Sequence, residues 1–248
     1  MLRYIERVQA VTGQTISITH LVGAAVGRVL RAEPEISARV VFGRIRPYPT
    51  IDVGFAVDIE GRDLAPVTVR EIDGKTPTEI ARELAAGAGE LRTGHDRHHR
   101  VSSRLVRWTP TIVLRPILAA AGVFVGGFGI AAFGQPGFPL GGAFVSNVGS
   151  LGLTEALLAP VPFARVPLYV AIGALHDAPA AVDGVVVVRR QVVLTATADH
   201  RLIDGSQAGK LARRLTDLLA DPAVLDRVRI AGAARSTESP TQVPQNVR

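Results

Sequence analysis

Residues 195–205 read TATADHRLIDG, and this stretch contains the clearest chemical signal in the 248-residue chain. The residues before Asp199 are mostly β-branched or small, which is typical of a largely buried strand. Three ionisable residues, Asp199, His200 and Arg201, then follow in a row, and a helical pattern begins at Ser206. A free imidazole has a pKa of about 6.5, so its neutral form can accept a proton near neutral pH. The pattern therefore predicts a strand that presents His200 as a catalytic base.

Asp204 and Gly205 complete this stretch. Asp204 can accept hydrogen bonds and fix the local geometry, and Gly205 permits a turn or a close approach that a Cβ atom would block. A second interpretation is a solvated connection between strand and helix whose charges only face water, because structural ion pairs also gather charges. The local pattern alone favours neither interpretation.

The motif DHRLIDG resembles the signature of the catalytic domain of the 2-oxo acid dehydrogenase acyltransferases, the dihydrolipoamide acyltransferase family. The HxxxDG pattern within it is similar to that of chloramphenicol acetyltransferase. Other segments follow in the family's order. Residues 16–40 resemble its early helix and PEL-type turn, and residues 51–67, IDVGFAVDIEGRDLAPV, resemble its hniGiAVdtpdGLvvPV region. Residues 76–94 resemble the next helix, and residues 144–149, FVSNVG, resemble its FTISNLG strand and turn. The resemblance covers most of residues 1–225.

The resemblance implies an α/β fold, a two-layer sandwich with a mixed sheet like that of chloramphenicol acetyltransferase. It also implies an acyltransferase that moves an acyl group between coenzyme A and a dihydrolipoyl-like thiol, a hydroxyl or an amine. His200 would be the general base, Ser146 would donate to the oxyanion, and Asp204 would serve local structure or tune the histidine. In this family the site lies between neighbouring subunits of a trimer, so a homotrimer or larger homo-oligomer is expected.

Other roles stay open for some of these residues. Without the resemblance, Ser146 is expected to close an ST-turn with Gly149 at a strand end. Asn147 is expected to hold that turn rather than to act, and Arg201 to be structural. The alternative function is a non-catalytic oligomeric core or scaffold protein that retains the fold. The intact DHRLIDG motif and Ser146 favour catalysis over that alternative.

The sequence departs from the family pattern in three places. No lipoyl domain or subunit-binding domain is expected before the similar region, so a lipoyl group would be expected to come from another chain. Nothing corresponds to the family's first strand, which predicts a shortened variant or a start codon placed too late. An apolar insertion at about residues 100–142 has no family counterpart. The expected organisation is a catalytic domain over residues 1–230 and a disordered tail over residues 231–248.

Composition narrows the classes of function. The chain has no cysteine, which excludes a disulfide framework, thiolate catalysis and cysteine-ligated metal. This composition and the absence of a visible N-terminal signal favour a cytoplasmic location. The net charge of +6 comes mainly from arginine, with clusters at residues 97–107 and at Arg213, Arg214, Arg227 and Arg229. Because no nucleic-acid motif accompanies these clusters, we expect no nucleic-acid partner.

Two further segments suggest other hypotheses. His95, His98 and His99 lie in HDRHHR, but their spacing lacks a regular helical face and the neighbouring arginines would repel a cation, so a basic linker and no metal are predicted. Residues 117–134 carry no charge and are about long enough to cross a bilayer at the short limit. Their five glycines favour a buried or oligomer-interface insertion, with membrane association as the alternative.

Periodicity predicts the remaining elements. Helices are expected over residues 1–11, 18–31 and 76–91, the last with an N-terminal cap at Thr76 and Glu79. Strands are expected over residues 36–45, 51–59, 64–69, 167–175 and 184–188, and residues 178–183 are expected to form a turn.

Overall fold

The computed structural model of the chain describes residues 1–59, 63–92, 110–132 and 135–227. The predictions for the three histidines at 95, 98 and 99, for the arginines at 97–107 and for the tail at 231–248 lie outside the described residues. Within the described part, the strands in chain order are β1 (Ala38–Val41), β2 (Arg44–Pro47), β3 (Val53–Ile59), β4 (Asp63–Val69), β5 (Ala143–Asn147), β6 (Leu168–Ile172), β7 (His176–Val182), β8 (Val185–Gln191) and β9 (Leu194–Ala198).

A five-stranded mixed sheet organises the fold, in the order β4-β3-β5-β6-β9. The pairs β3/β4 and β6/β9 are antiparallel, whereas β3/β5 and β5/β6 are parallel. The strands β1 and β2 form one separate hairpin, and β7 and β8 form another. The helices are α1 (Leu2–Thr12), α2 (Ile18–Ala32), α3 (Pro77–Arg92), α4 (Thr111–Ala121) and α5 (Gly205–Ala220).

The helix α2 covers one face of the sheet, and it is the most buried helix described. Its apolar residues pack with the alternate residues of β3, β5 and β6 that point to the same side, and with α5. Gly27 lets α2 pack closely against Ile72, because a Cβ atom at this position would lie only 2.7 Å from Ile72 Cγ2. Two layers, one of helices and one of mixed sheet, confirm the predicted fold class.

The prediction of one strand over residues 36–45 is wrong, because the chain reverses within it. Phe42 and Gly43 both have positive φ angles, of 50° and 72°, and join β1 to β2 as a tight hairpin. Glycine adopts this backbone conformation at no steric cost, whereas phenylalanine does so only where the surrounding structure imposes it. The apolar run from Val40 to Phe42, followed by Ile45, concealed the turn although Gly43 lies within it.

The turn predicted over residues 178–183 is also wrong, because most of that segment belongs to β7. The reversal occurs at Asp183 and Gly184, with φ angles of 50° and 79°. An Asp-Gly pair between two extended runs is a strong signal for a two-residue hairpin. The alanines and the proline before it were misread as loop, although they pair in full register with β8.

Residues 117–134 do not form one continuous helix. The helix α4 passes into a π-helix over Gly122–Gly127, and the chain then turns at Gly129, where φ is 72°. Among the helices described, none combines the length and apolar character needed to cross a membrane. Two arginines fix the π-helix at its ends: Arg165 Nε donates to the Gly122 carbonyl at 2.7 Å, and Arg39 Nε to the Gly127 carbonyl at 2.6 Å.

Candidate active site

His200 lies on a short connection between the edge strand β9 and the helix α5. Its side chain is exposed, while the next two residues, Leu202 and Ile203, are buried in the main core. Their backbone N–H groups both donate to the Asp199 carbonyl, at 2.9 and 3.0 Å. The burial of these two side chains fixes the turn, and the turn holds the imidazole at the surface.

The residues that flank His200 in sequence pair with each other. Arg201 Nη2 lies 2.6 Å from Asp199 Oδ2, and the Arg201 backbone N–H donates to Asp199 Oδ1 at 3.1 Å. The hydrogen bonds from Arg201 lower the pKa of the Asp199 carboxyl below its usual value. This pair keeps both charges beside the histidine and agrees with the structural role expected for Arg201.

Asp204 caps the first turn of α5. Its Oδ1 accepts the Gln207 backbone N–H at 2.8 Å, and Gln207 Oε1 accepts the Asp204 N–H at the same distance, which is a reciprocal capping box. Of the two roles predicted for Gly205, a turn or a close approach, the structure contradicts the close approach, because a Cβ atom there would meet nothing within 4 Å. Gly205 is the first residue of α5. The sequence pattern suggested a close approach that one chain alone does not contain.

Ser146 lies near the end of β5 and is buried. Side chains alternate along a strand, so Ser146 shares a face with Phe144, opposite to the helical layer. A cavity of about 560 Å³ opens on this face, and Ala56, Phe144 and Val161 contribute to its walls. Ser146 therefore lies one strand repeat from a largely apolar cavity.

The turn after Ser146 is held by Asn147, as the sequence predicted. Asn147 Oδ1 accepts the Ser150 N–H at 3.2 Å, and its Nδ2 donates to Thr19 Oγ1 at 3.0 Å. Gly149 is required here, because a Cβ atom would lie 2.6 Å from the Gly173 backbone. Asn147 and Ser150 thus close the turn that was alternatively assigned to Ser146.

His20 adjoins this turn, and sequence analysis did not identify it. It occupies the third position of α2, next to Thr19, and its Nδ1 accepts the Ser17 backbone N–H at 3.0 Å. Burial lowers the pKa of His20 to about 4, so the ring is neutral near pH 7. The signal was a serine three residues before a residue with an acceptor, the spacing of a capping box.

A single chain does not bring Ser146 and His200 together. Ser146 is level with Ala171 on β6, which is level with Thr195 on β9. Thr195 to Ala198 spans about 10 Å of strand, His200 lies two residues beyond, and two strand spacings add about 10 Å across the sheet. The two side chains are thus far beyond hydrogen-bond distance, whereas His200 and Asp204 share one connection.

The model of the family described as 2-oxoacid dehydrogenases acyltransferase (catalytic domain) matches residues 1–103 and 140–226. The match leaves out residues 104–139, which include α4 and the π-helix. A curated relative is the dihydrolipoyllysine-residue acetyltransferase component of the pyruvate dehydrogenase complex of Mycoplasma capricolum. It is 25% identical over 218 residues, which are 87% of this chain and 41% of that protein. The chain spans less than half the length of the curated relatives it matches.

Solved structures show the same fold. Dihydrolipoamide acetyltransferase of Azotobacter vinelandii, studied for the role of a serine, a histidine and an asparagine in its catalytic mechanism, aligns with a TM-score of 0.65 and 19% identity. The cubic core of the pyruvate dehydrogenase multienzyme complex aligns with a TM-score of 0.64 and 19% identity. In both cases the alignment covers 91% of this chain and 79% of the other.

Proposed function

Because the chain belongs to the 2-oxoacid dehydrogenase acyltransferase family by its catalytic domain, we propose that it moves an acyl group between coenzyme A and a thiol, hydroxyl or amine acceptor. His200 is the general base, Ser146 is the oxyanion donor, and Asp204 is a positioning residue. A dihydrolipoyl-like thiol is the acceptor that the family favours. The proposed compartment is the cytoplasm.

The observation that carries this proposal is that the motif residues lie at opposite ends of the strands of one sheet. Ser146 lies near the C-terminal end of the central strand β5, and His200 follows the edge strand β9 at the opposite end. His200 is exposed on a turn fixed by buried neighbours, and Ser146 lies on the sheet face that carries the cavity. Each is presented as half of a site, and a second copy in a homotrimer or larger oligomer would supply the other half. The fold shared with a multienzyme core supports such an assembly.

The proposed chemistry follows from these two groups. His200 takes the proton from the acceptor thiol, and the resulting thiolate attacks the carbonyl carbon of the thioester. The carbonyl oxygen becomes an oxyanion, to which the Ser146 hydroxyl donates a hydrogen bond. When the intermediate collapses, the bond to the coenzyme A sulfur breaks, and the His200 imidazolium returns its proton to that sulfur. The histidine thus ends in its starting state.

Asp204 supports the geometry of this step through the capping box that starts α5. In the Azotobacter protein, the histidine and the asparagine studied lie four residues apart, as His200 and Asp204 do here. An asparagine can cap a helix as well as an aspartate can. The shared spacing supports a positioning role, because both side chains can accept the same backbone hydrogen bond.

The test is the release of free thiol from a panel of acyl-coenzyme A donors, with dihydrolipoamide, amine and alcohol acceptors. We expect His200→Ala to lose on the order of a hundredfold or more in rate, as is usual for removal of a general base. Ser146→Ala should lose a similar factor. Lys210→Gln, at an exposed position of α5 beyond the capping box, is the control and should keep most of the activity. Equal background rates in wild type and His200→Ala would overturn the proposal and favour a non-catalytic scaffold.

A further inference from the structure

The segment outside the family match forms an exposed apolar surface with one neighbouring hairpin. Phe124, Phe128 and Ile130 of the insertion are 47%, 40% and 53% exposed, and Phe42 at the tip of the β1–β2 hairpin is 76% exposed. The rings of Phe42 and Phe128 are 6.3 Å apart at their centroids. These four residues are called the insertion patch below.

The insertion patch rests on a framework that holds it in place. Arg39 and Arg165 bind the two ends of the π-helix through backbone carbonyls, and Arg39 also stacks on the rings of Tyr48 and Phe138, at 5.0 and 4.3 Å. At Gly126 a Cβ atom would overlap the Phe163 carbonyl, so the backbones touch. The inner side of the π-helix is therefore packed and hydrogen-bonded, while aromatic side chains occupy its outer side.

The helix α4, which precedes the π-helix, has the same exposed apolar character. Ile112 and Leu118 are 84% and 42% exposed, and among the side chains described in α4 only Ala121 is buried. A helix of 11 residues is shorter than the length at which isolated helices hold in water, about 12 to 15 residues. Such a helix gains stability where another medium covers its apolar side chains.

The charge of the residues around the insertion patch indicates what covers it. Residues 38–47 and 110–132, which form the insertion patch and α4, contain four arginines and no acidic residue. Arg46 lies 5.6 Å from the ring of Phe128, and Arg44 points to the same face of the hairpin because side chains alternate. Both are exposed, as is Arg115. Aromatic side chains bordered by arginines complement the apolar interior and the anionic headgroups of a lipid surface.

We propose that the insertion patch docks on an anionic membrane surface, with Phe42, Phe124 and Phe128 entering the interface and Arg44 and Arg46 contacting the phosphate groups. Two copies that met patch to patch would bring like charges together, which disfavours an isologous dimer through this surface. A second copy that meets the patch with another face is an outcome of the test below. In this proposal the patch lies on the membrane surface, and among the described helices none has the length and apolar character to cross it. This inference does not depend on the proposed activity.

The β7–β8 hairpin provides a control surface. It also exposes valines, Val186 and Val188 at 74% and 75%, but it carries Asp177 and Asp183 as well as Arg189 and Arg190, and Asp177 lies opposite Arg190. The β7–β8 hairpin thus has exposed apolar side chains and arginines, but it lacks the net positive charge of the residues around the insertion patch.

The test is co-sedimentation with vesicles of phosphatidylcholine alone and with added phosphatidylglycerol, at low and high salt. Wild type should sediment with the anionic vesicles, less so at high salt. Arg44→Glu with Arg46→Glu should weaken binding by at least about tenfold. Phe124→Ser with Phe128→Ser should do the same, whereas Val186→Ser with Val188→Ser, and Arg189→Glu with Arg190→Glu, should leave it unchanged.

Three results would overturn the proposal. One is wild-type protein that stays in solution with both kinds of vesicle, and another is equal loss of binding in patch and hairpin variants. The third is a fall in molar mass by light scattering for the patch variants alone, which would assign the surface to a second copy. Circular dichroism monitors folding, and the arginine variants keep the test valid if the phenylalanine variants do not fold.

Discussion

The two halves of the candidate site are held in different ways. The connection at His200 is fixed by residues close in sequence: Asp199 pairs with Arg201, and Asp204 caps its own helix. The turn after Ser146 is fixed by distant parts of the chain, since Asn147 binds the first turn of α2 and Gly149 touches the loop after β6. The first half is exposed, and the second is buried.

Because of this difference, substitutions in the two halves should affect catalysis and stability to different degrees. A locally held, exposed group can be altered with little loss of packing, so changes at His200 should act mainly on reactivity. The turn after Ser146 is buried and joins three elements, so a substitution there also disturbs the packing of the core. Changes around Ser146 should therefore lower both reactivity and stability. Variants in each half of the site test this contrast.

The largest effect is expected from combining the two halves. His200→Ala and Ser146→Ala should each lose on the order of a hundredfold in thiol release. If the halves meet between subunits, unfolding and refolding the two variants together should restore about a quarter of the wild-type rate, because random pairing leaves one junction in four intact. Each variant refolded alone is the control. Mixtures as inactive as the separate variants would place both halves of a working site within one chain.

The next effect concerns pH and the buried half. Burial lowers the pKa of His20 to about 4. Between about pH 6.5 and pH 4, the unfolded chain therefore binds a proton at His20 that the folded chain does not bind. The free energy of unfolding should therefore fall by about 2 to 3 kcal/mol between pH 7 and pH 4 through this residue. His20→Gln, which keeps an acceptor for Ser17, should flatten that dependence in urea unfolding.

His176→Gln, on the projecting hairpin, is the matched control because it leaves His20 in place. It should keep the pH dependence of the wild type. A dependence that survives unchanged in His20→Gln would show that other groups cause the loss of stability at low pH.

The same glycine substitution should have opposite effects in the two halves. Gly149→Ala would place a Cβ atom 2.6 Å from the Gly173 backbone, which cannot move freely, so we expect destabilisation by about 1 to 3 kcal/mol. Gly205→Ala meets nothing within 4 Å at the start of α5 and should be neutral or stabilising by up to about 1 kcal/mol. Urea midpoints measure both. Equal losses at the two sites would remove the contrast between the halves.

Much of the architecture could be predicted from the sequence, because apolar periodicity reflects burial on one face. The helix pattern ending before Pro34 is an example. The strand before Asp199 lies where it was expected, but it is a partly exposed edge strand and not the largely buried strand that its composition indicated. The hairpin turn at residues 42–43 was missed, and the turn at residues 183–184 was placed too early, over residues 178–183. The framework under the insertion could not be found, because Arg39 and Arg165 reach carbonyls that are 88 and 43 residues away.

The candidate site divides in the same way. The motif around His200 is local, so its cap at Asp204 could be anticipated from a few consecutive residues. The neutral state of His20 depends on burial, which no short pattern encodes. That Ser146 and His200 lie apart within one chain follows from strand register across β5, β6 and β9, which long-range pairing determines.

The smallest effect should come from the cap itself, and it distinguishes two roles for Asp204. Asp204→Ala removes the acceptor for the Gln207 N–H and should cost about 1 kcal/mol of stability, whereas Asp204→Asn keeps a capping oxygen and should cost only a few tenths. If Asp204 only positions the turn, Asp204→Asn should also keep the wild-type rate of thiol release and its pH profile. A stable Asp204→Asn protein with a reduced rate and a shifted pH profile would contradict that role. The carboxylate charge would then act on His200 directly, and the exposed half of the site would depend on electrostatics as well as on local hydrogen bonds.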